Sequence, residues 1–228
     1  MRPARLFFLL GLVAFSMAVS PTPAQDTQER VDKIFDRIEE SKGAALLDAC
    51  RELEELGRGA VEQVRSGLRR SSPWVRIAAA RTLYLNDLKE EALQAFVIVI
   101  QGQDAAAKKT AAEFVAALVG TDRALSAREK RRIADDLTKQ ARETSDAPAA
   151  IALWRAVWTM TETIEPRRAI RDIVEKTDKR EVKLDGALAL AEMGAFSSIK
   201  NLLREIEKEP GERGRLARAY LKLADLTD

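Results

Sequence analysis

A chain of 228 residues with no histidine and a single cysteine excludes several kinds of chemistry at the outset. Serine–histidine and cysteine–histidine nucleophile systems need an imidazole, and metal sites built on imidazole or clustered thiolates need more His and Cys than are present. The 38 basic and 36 acidic residues nearly cancel, so no global positive field recruits nucleic acid, which is not expected as a partner.

The chain opens with a short basic stretch, Met1 to Arg5, followed by an apolar run from Leu6 to Val19 and by small residues two apart, Thr22 and Ala24. This is the pattern of a secretory signal peptide over residues 1–24, with cleavage expected after Ala24. The apolar run falls short of the ~20 residues that a membrane-crossing helix needs. An uncleaved N-terminal anchor is the competing expectation. Without residues 1–24 the chain loses Arg2 and Arg5 and no carboxylate, leaving zero net charge. The expected location is periplasmic or secreted, with no stable membrane span in the mature protein and no metal or other cofactor.

From Asp26 onward the apolar residues recur at helical spacing. A leading helix over 25–42 carries Val31, Ile34, Phe35 and Ile38. A first pair follows, with Leu46, Cys50, Leu53 and Leu56 on one helix and Val61, Val64 and Leu68 on the next. The lone Cys50 reads as a small buried apolar residue, a reactive thiol being the alternative. Ser72 and Pro73 suit a helix start and open a second pair, through Ile77, Ala80 and Leu83 and then Leu93, Phe96, Val97 and Ile100. The third pair spans Ala105 to Val119 and Ser126 to Glu143, where Ser126 and Glu129 fit a capping box. The fourth carries Ile151, Trp154, Val157 and Trp158, then Ile170, Ile173 and Val174 after Pro166. The fifth carries Leu184, Leu188 and Ala191, then Ile199, Leu202 and Ile206. A last helix, Gly211 to Leu226, remains.

Gly57, Asn86, Gly120 and Gly194 each follow the first helix of a pair, where a left-handed cap is expected. They are separated by 29, 34 and 74 residues, the last being twice 37. A period of this size means stacked helical hairpins. The segments Pro73-Trp74-Val75-Arg76-Ile77-Ala78-Ala79-Ala80-Arg81-Thr82-Leu83 and Val182-Lys183-Leu184-Asp185-Gly186-Ala187-Leu188-Ala189-Leu190-Ala191 resemble the first helix of a HEAT repeat. The resemblance implies an all-α, right-handed α-α superhelix of HEAT or armadillo type over 43–228, with about five hairpins plus terminal helices. It also implies that Ala79 and Ala187 let helices approach closely. Tetratricopeptide repeats have a similar period, but their tryptophan–leucine–glycine–tyrosine pattern is absent here.

Adjacent carboxylates such as Glu54-Glu55 and Asp135-Asp136 point about 100° apart on a helix and do not converge, so no catalysis is expected. Two basic clusters open second helices: Arg128, Arg131 and Arg132 in the third pair, and Arg167, Arg168 and Arg171 in the fourth. The resemblance puts second helices on the concave surface, which would make these six arginines a single partner-binding patch. The alternative is that they pair with nearby carboxylates on solvated faces. Trp154 and Trp158, four apart, share one face, in the core or in a binding groove. The expected function is an exported, monomeric, non-catalytic scaffold that binds another protein or peptide. The alternatives are an accessory domain of a larger exported enzyme and a lipid or glycan binder.

Overall fold

The computed structural model describes residues 23–227. The expected signal segment lies outside the described residues except for Pro23 and Ala24, which open the first helix. Among the described residues there are twelve α-helices and no strand. They are α1 (Pro23–Glu40), α2 (Leu46–Glu55), α3 (Val61–Ser66), α4 (Pro73–Leu85), α5 (Lys89–Gln101), α6 (Ala105–Val119), α7 (Ala127–Glu143), α8 (Ala147–Thr161), α9 (Ile164–Lys176), α10 (Arg180–Glu192), α11 (Lys200–Ile206) and α12 (Glu212–Thr227). Short 3₁₀ turns, Gly57–Ala60 and Gly67–Arg69, flank α3.

Local chemistry places several of these ends. Ser72 accepts from the Val75 N–H with Pro73 in the first turn of α4, and Asp104 and Asp146 cap α6 and α8 in the same way. Ser126 and Glu129 form the reciprocal capping box at α7, which satisfies two backbone donors that a helix start otherwise leaves free. Gly57 and Gly194 are left-handed, with φ of 66° and 75°. Two expected caps are not. Asn86 stays at negative φ and Asp87 takes the left-handed position instead (φ 68°), while the Asn86 amide donates to the Thr82 carbonyl. Gly120 is right-handed, and what it supplies is space. A Cβ there would lie 2.8 Å from Thr159 of α8. The turn of the fourth pair uses Glu162 at φ 51°, a conformation uncommon for a residue with a side chain.

Packing follows composition. α4 and α8 are apolar almost all round, with eight buried residues each, and α10 has seven. Such helices belong between neighbours. α2, α4, α6, α8, α10 and α12 touch one another in that order, so the first helices of successive pairs form one row. Their small residues, Ala79, Ala111, Ala112, Ala156 and Ala187 among them, are fully buried. The second helices are amphipathic and lie against this row: α3 on α4, α5 on α4 and α6, α9 on α8 and α10, α11 on α10 and α12. One continuous apolar cluster runs from Val31 to Ala217. Cys50 and Trp154 are part of it, at 0% and 4% exposure, and burial pushes the Cys50 thiol up from its ordinary value.

One pair departs from the pattern. α7 packs against α8 and barely touches α6, its partner in sequence. The connection over 120–126 is longer than the 86–88 and 162–163 turns, and α6 packs chiefly on α8 instead. This displacement leaves a crevice beside α5.

Candidate functional site

α5 carries two apolar stripes. Ala92, Ala95, Phe96, Val99 and Ile100 are buried towards the first-helix row, while Leu93 and Val97 are half-buried and Ile98 is 54% exposed. In α7 the stripe Ile133, Ala134, Leu137 and Ala141 faces inward. Because α7 has swung onto α8, the second stripe of α5 meets α7 only across a gap.

The result is a crevice of about 810 Å³ between α5 and α7. Leu93, Val97, Ile98, Leu125 and Ile133 make its apolar lining, and Glu90, Gln94, Glu129, Arg132 and Asp136 stand along it. A smaller cavity bounded by Ile100, Gln101, Leu137 and Gln140 shares Val97 and Asp136 with it and continues it towards the ends of both helices. Lys89 and Gln101 bound the groove on the α5 side. Twelve steps of helix make it roughly 18 Å long.

One end of the groove is fixed by charge. Asp122, in the α6–α7 connection, accepts from the Lys89 ammonium at 2.7 Å and from the Tyr84 hydroxyl at 2.7 Å, and its other oxygen accepts from the Ala124 N–H. The Lys89 hydrogen bond, followed by that of Tyr84, holds the Asp122 carboxyl down at about 2. Burial and the neighbouring carboxylate push the Tyr84 phenol up. Nothing in the sequence around Tyr84 or Asp122 signals this contact, since it joins residues 38 apart.

The six arginines of the basic clusters are not brought into one crevice. Arg132 lines the α5–α7 groove. Arg131 lines a different space of about 610 Å³, bounded by α7, the end of α8 and the start of α9. Arg128, Arg167, Arg168 and Arg171 line neither. Glu165, at the start of α9, pairs with Arg142, which lies eleven residues or about 16 Å along α7 from Arg131. Among the described residues none of the six has a carboxylate within 4.0 Å, in contrast to Arg65, Arg70, Arg155, Arg180 and Arg213. Arg132 acts at longer range, helping to lower the Glu129 carboxyl after the Ser126 hydrogen bonds have done most of it. The Nε of Arg167 is buried without a hydrogen-bond partner.

Along the row of first helices, two arginines pair with carboxylates of the neighbouring helix. Arg81 of α4 pairs with Glu54 of α2 at 3.0 Å and lies over the Phe114 ring of α6. Arg155 of α8 pairs with Glu192 of α10 at 2.6 Å, and Tyr220 of α12 joins them around a cavity of about 160 Å³. Trp154 is in the core. Trp158, half-buried, has a buried indole N–H with no acceptor.

Among the described residues no three His, Cys, Asp or Glu side chains come together to hold a metal ion, and no helix is long and apolar enough to cross a membrane. Comparison of the chain with protein-family models, with curated proteins and with solved structures found no match in any of the three.

Proposed function

We propose that this chain is an exported, non-catalytic interaction scaffold of HEAT-like helical hairpins, arranged as a solenoid, that holds a partner polypeptide in the α5–α7 groove. The observation that carries the proposal is the groove itself. A groove about 18 Å long, with an apolar lining edged by polar side chains, matches one face of a short amphipathic helix of about twelve residues. The row of touching first helices supports the solenoid reading, because it is what hairpins stacked at a regular period produce. The same geometry supports partner binding, since the second helices flank a space that the chain does not fill. The composition supports a non-catalytic role, with no imidazole anywhere and one buried thiol.

The test is site-specific photo-crosslinking in cells. A photoreactive residue at Ile98 is expected to capture a discrete polypeptide, and the same residue at Leu47, also exposed but on α2, is not. Replacing Leu93 with Asp should abolish the Ile98 product. Absence of any product at Ile98, or identical products at both positions, would remove the groove from consideration.

A further inference from the structure

The charges along the α5–α7 groove do not balance. Five charged side chains border its main crevice: Lys89, Glu90, Glu129, Arg132 and Asp136. Three of them are compensated within the protein. Lys89 is paired with Asp122 at 2.7 Å. Glu129 accepts from the Ser126 N–H and hydroxyl, and Arg132, three residues further along α7, offsets its charge. Glu90 of α5 and Asp136 of α7 are left. Both are exposed, and among the described residues neither has a cation within 4.0 Å. Lys139 borders only the narrower continuation of the groove. The two carboxylates stand on opposite walls. Glu90 lies near the end that Asp122 fixes, next to Lys89, whereas Asp136 lies where the two cavities join, at the level of Val97, the other residue that lines both. From Glu90 to Val97 is about two turns of helix, or roughly 10 Å.

We infer that the occupant of the groove is a basic amphipathic helix, whose apolar stripe is flanked on opposite sides by two Lys or Arg residues about two turns apart. The inference rests on the groove reading above and gives it a partner chemistry. A helix with no cations beside its stripe would press an apolar surface against two unpaired carboxylates and strip them of water, which is costly. An acidic helix would set like charges against them. A Lys or Arg side chain avoids both penalties, because its methylenes lie along the apolar lining while its charged head reaches the edge. A polycation without an apolar stripe would leave Leu93, Val97 and Ile98 uncovered.

Two fluorescent helical peptides, titrated with the full chain, test this. Both carry the same leucine stripe, flanked at the two positions by lysines in one peptide and by glutamates in the other. Fluorescence anisotropy at low salt should show the lysine peptide binding roughly tenfold more tightly, and the difference should shrink as salt is raised. Glu90→Lys combined with Asp136→Lys, both at exposed helix positions, should reverse the preference. Leu93→Gln, which leaves the charge unchanged, should weaken both peptides. Equal affinities, a preference for the glutamate peptide, or a preference unmoved by the double reversal would overturn the inference and leave the groove standing. Binding of neither peptide, or binding indifferent to Leu93→Gln, would remove the groove reading and this inference with it.

Discussion

Tyr84, in the last turn of α4, donates its hydroxyl to Asp122 in the α6–α7 connection at 2.7 Å, and this contact helps tie the second hairpin to the displaced third one. The phenol is buried and needs an acceptor, because an unpaired buried hydroxyl is costly. Asp122 provides it while also receiving Lys89. The connection that frees α7 from α6 is therefore itself held in place, and the groove has a defined end.

Removing one member of this cluster should be measurable. Tyr84→Phe is expected to cost roughly 1.5–3 kcal/mol, the range for a hydrogen bond to a charged group, read as a lower urea midpoint at neutral pH. The pH dependence has a definite sign. A carboxyl lowered from 3.8 to about 2 contributes stability that is complete above the unfolded value and is lost as pH falls through the folded one. Wild type should therefore lose stability relative to Asp122→Asn between about pH 4 and pH 2. Parallel acid titrations would count against the assignment.

Trp154 sits in the core at 4% exposure. Its replacement by Ala should destabilise by roughly 3–5 kcal/mol, the cost of lost burial plus the cavity left behind. A loss under about 1 kcal/mol in denaturant unfolding would mean that the side chain is not packed as described.

Gly186 faces the fourth hairpin so closely that a Cβ would lie 2.3 Å from the Val174 Cγ2. Gly186→Ala is therefore expected to cost about 1–3 kcal/mol by overpacking, despite the better helix propensity of Ala. Val174→Ala in the same chain should recover part of that loss. A stabilising Gly186→Ala would show that α9 and α10 have more room between them.

Ile98 contributes no comparable burial. Ile98→Asp should leave stability within about 0.5 kcal/mol and yet abolish capture of a polypeptide by a crosslinker placed at Arg132 across the groove. Calorimetry and crosslinking on the same preparation check both halves of the statement.

Much of the helical order was legible because it depends on local spacing. The capping box at Ser126 and Glu129, the start at Ser72 and the buried setting of Cys50 are all written in residues a few positions apart. The exceptions have a common cause. Asp87 took the left-handed place assigned to Asn86, and Gly120 was kept small by Thr159 on another helix, which no neighbouring residue announces. The basic clusters were visible as clusters, but their separation depended on where α7 and α9 lie.

Periodicity and residue type, read alone, determined that this chain is helical, where most helices begin and end, and which side chains seek the interior, because backbone capping and amphipathic spacing act within a few residues. Only the tertiary arrangement decided that α7 leaves α6 for α8, that Tyr84 finds Asp122, and that a groove opens beside α5. Those outcomes depend on which apolar faces compete for the same neighbour, and that competition takes place between residues far apart in the chain.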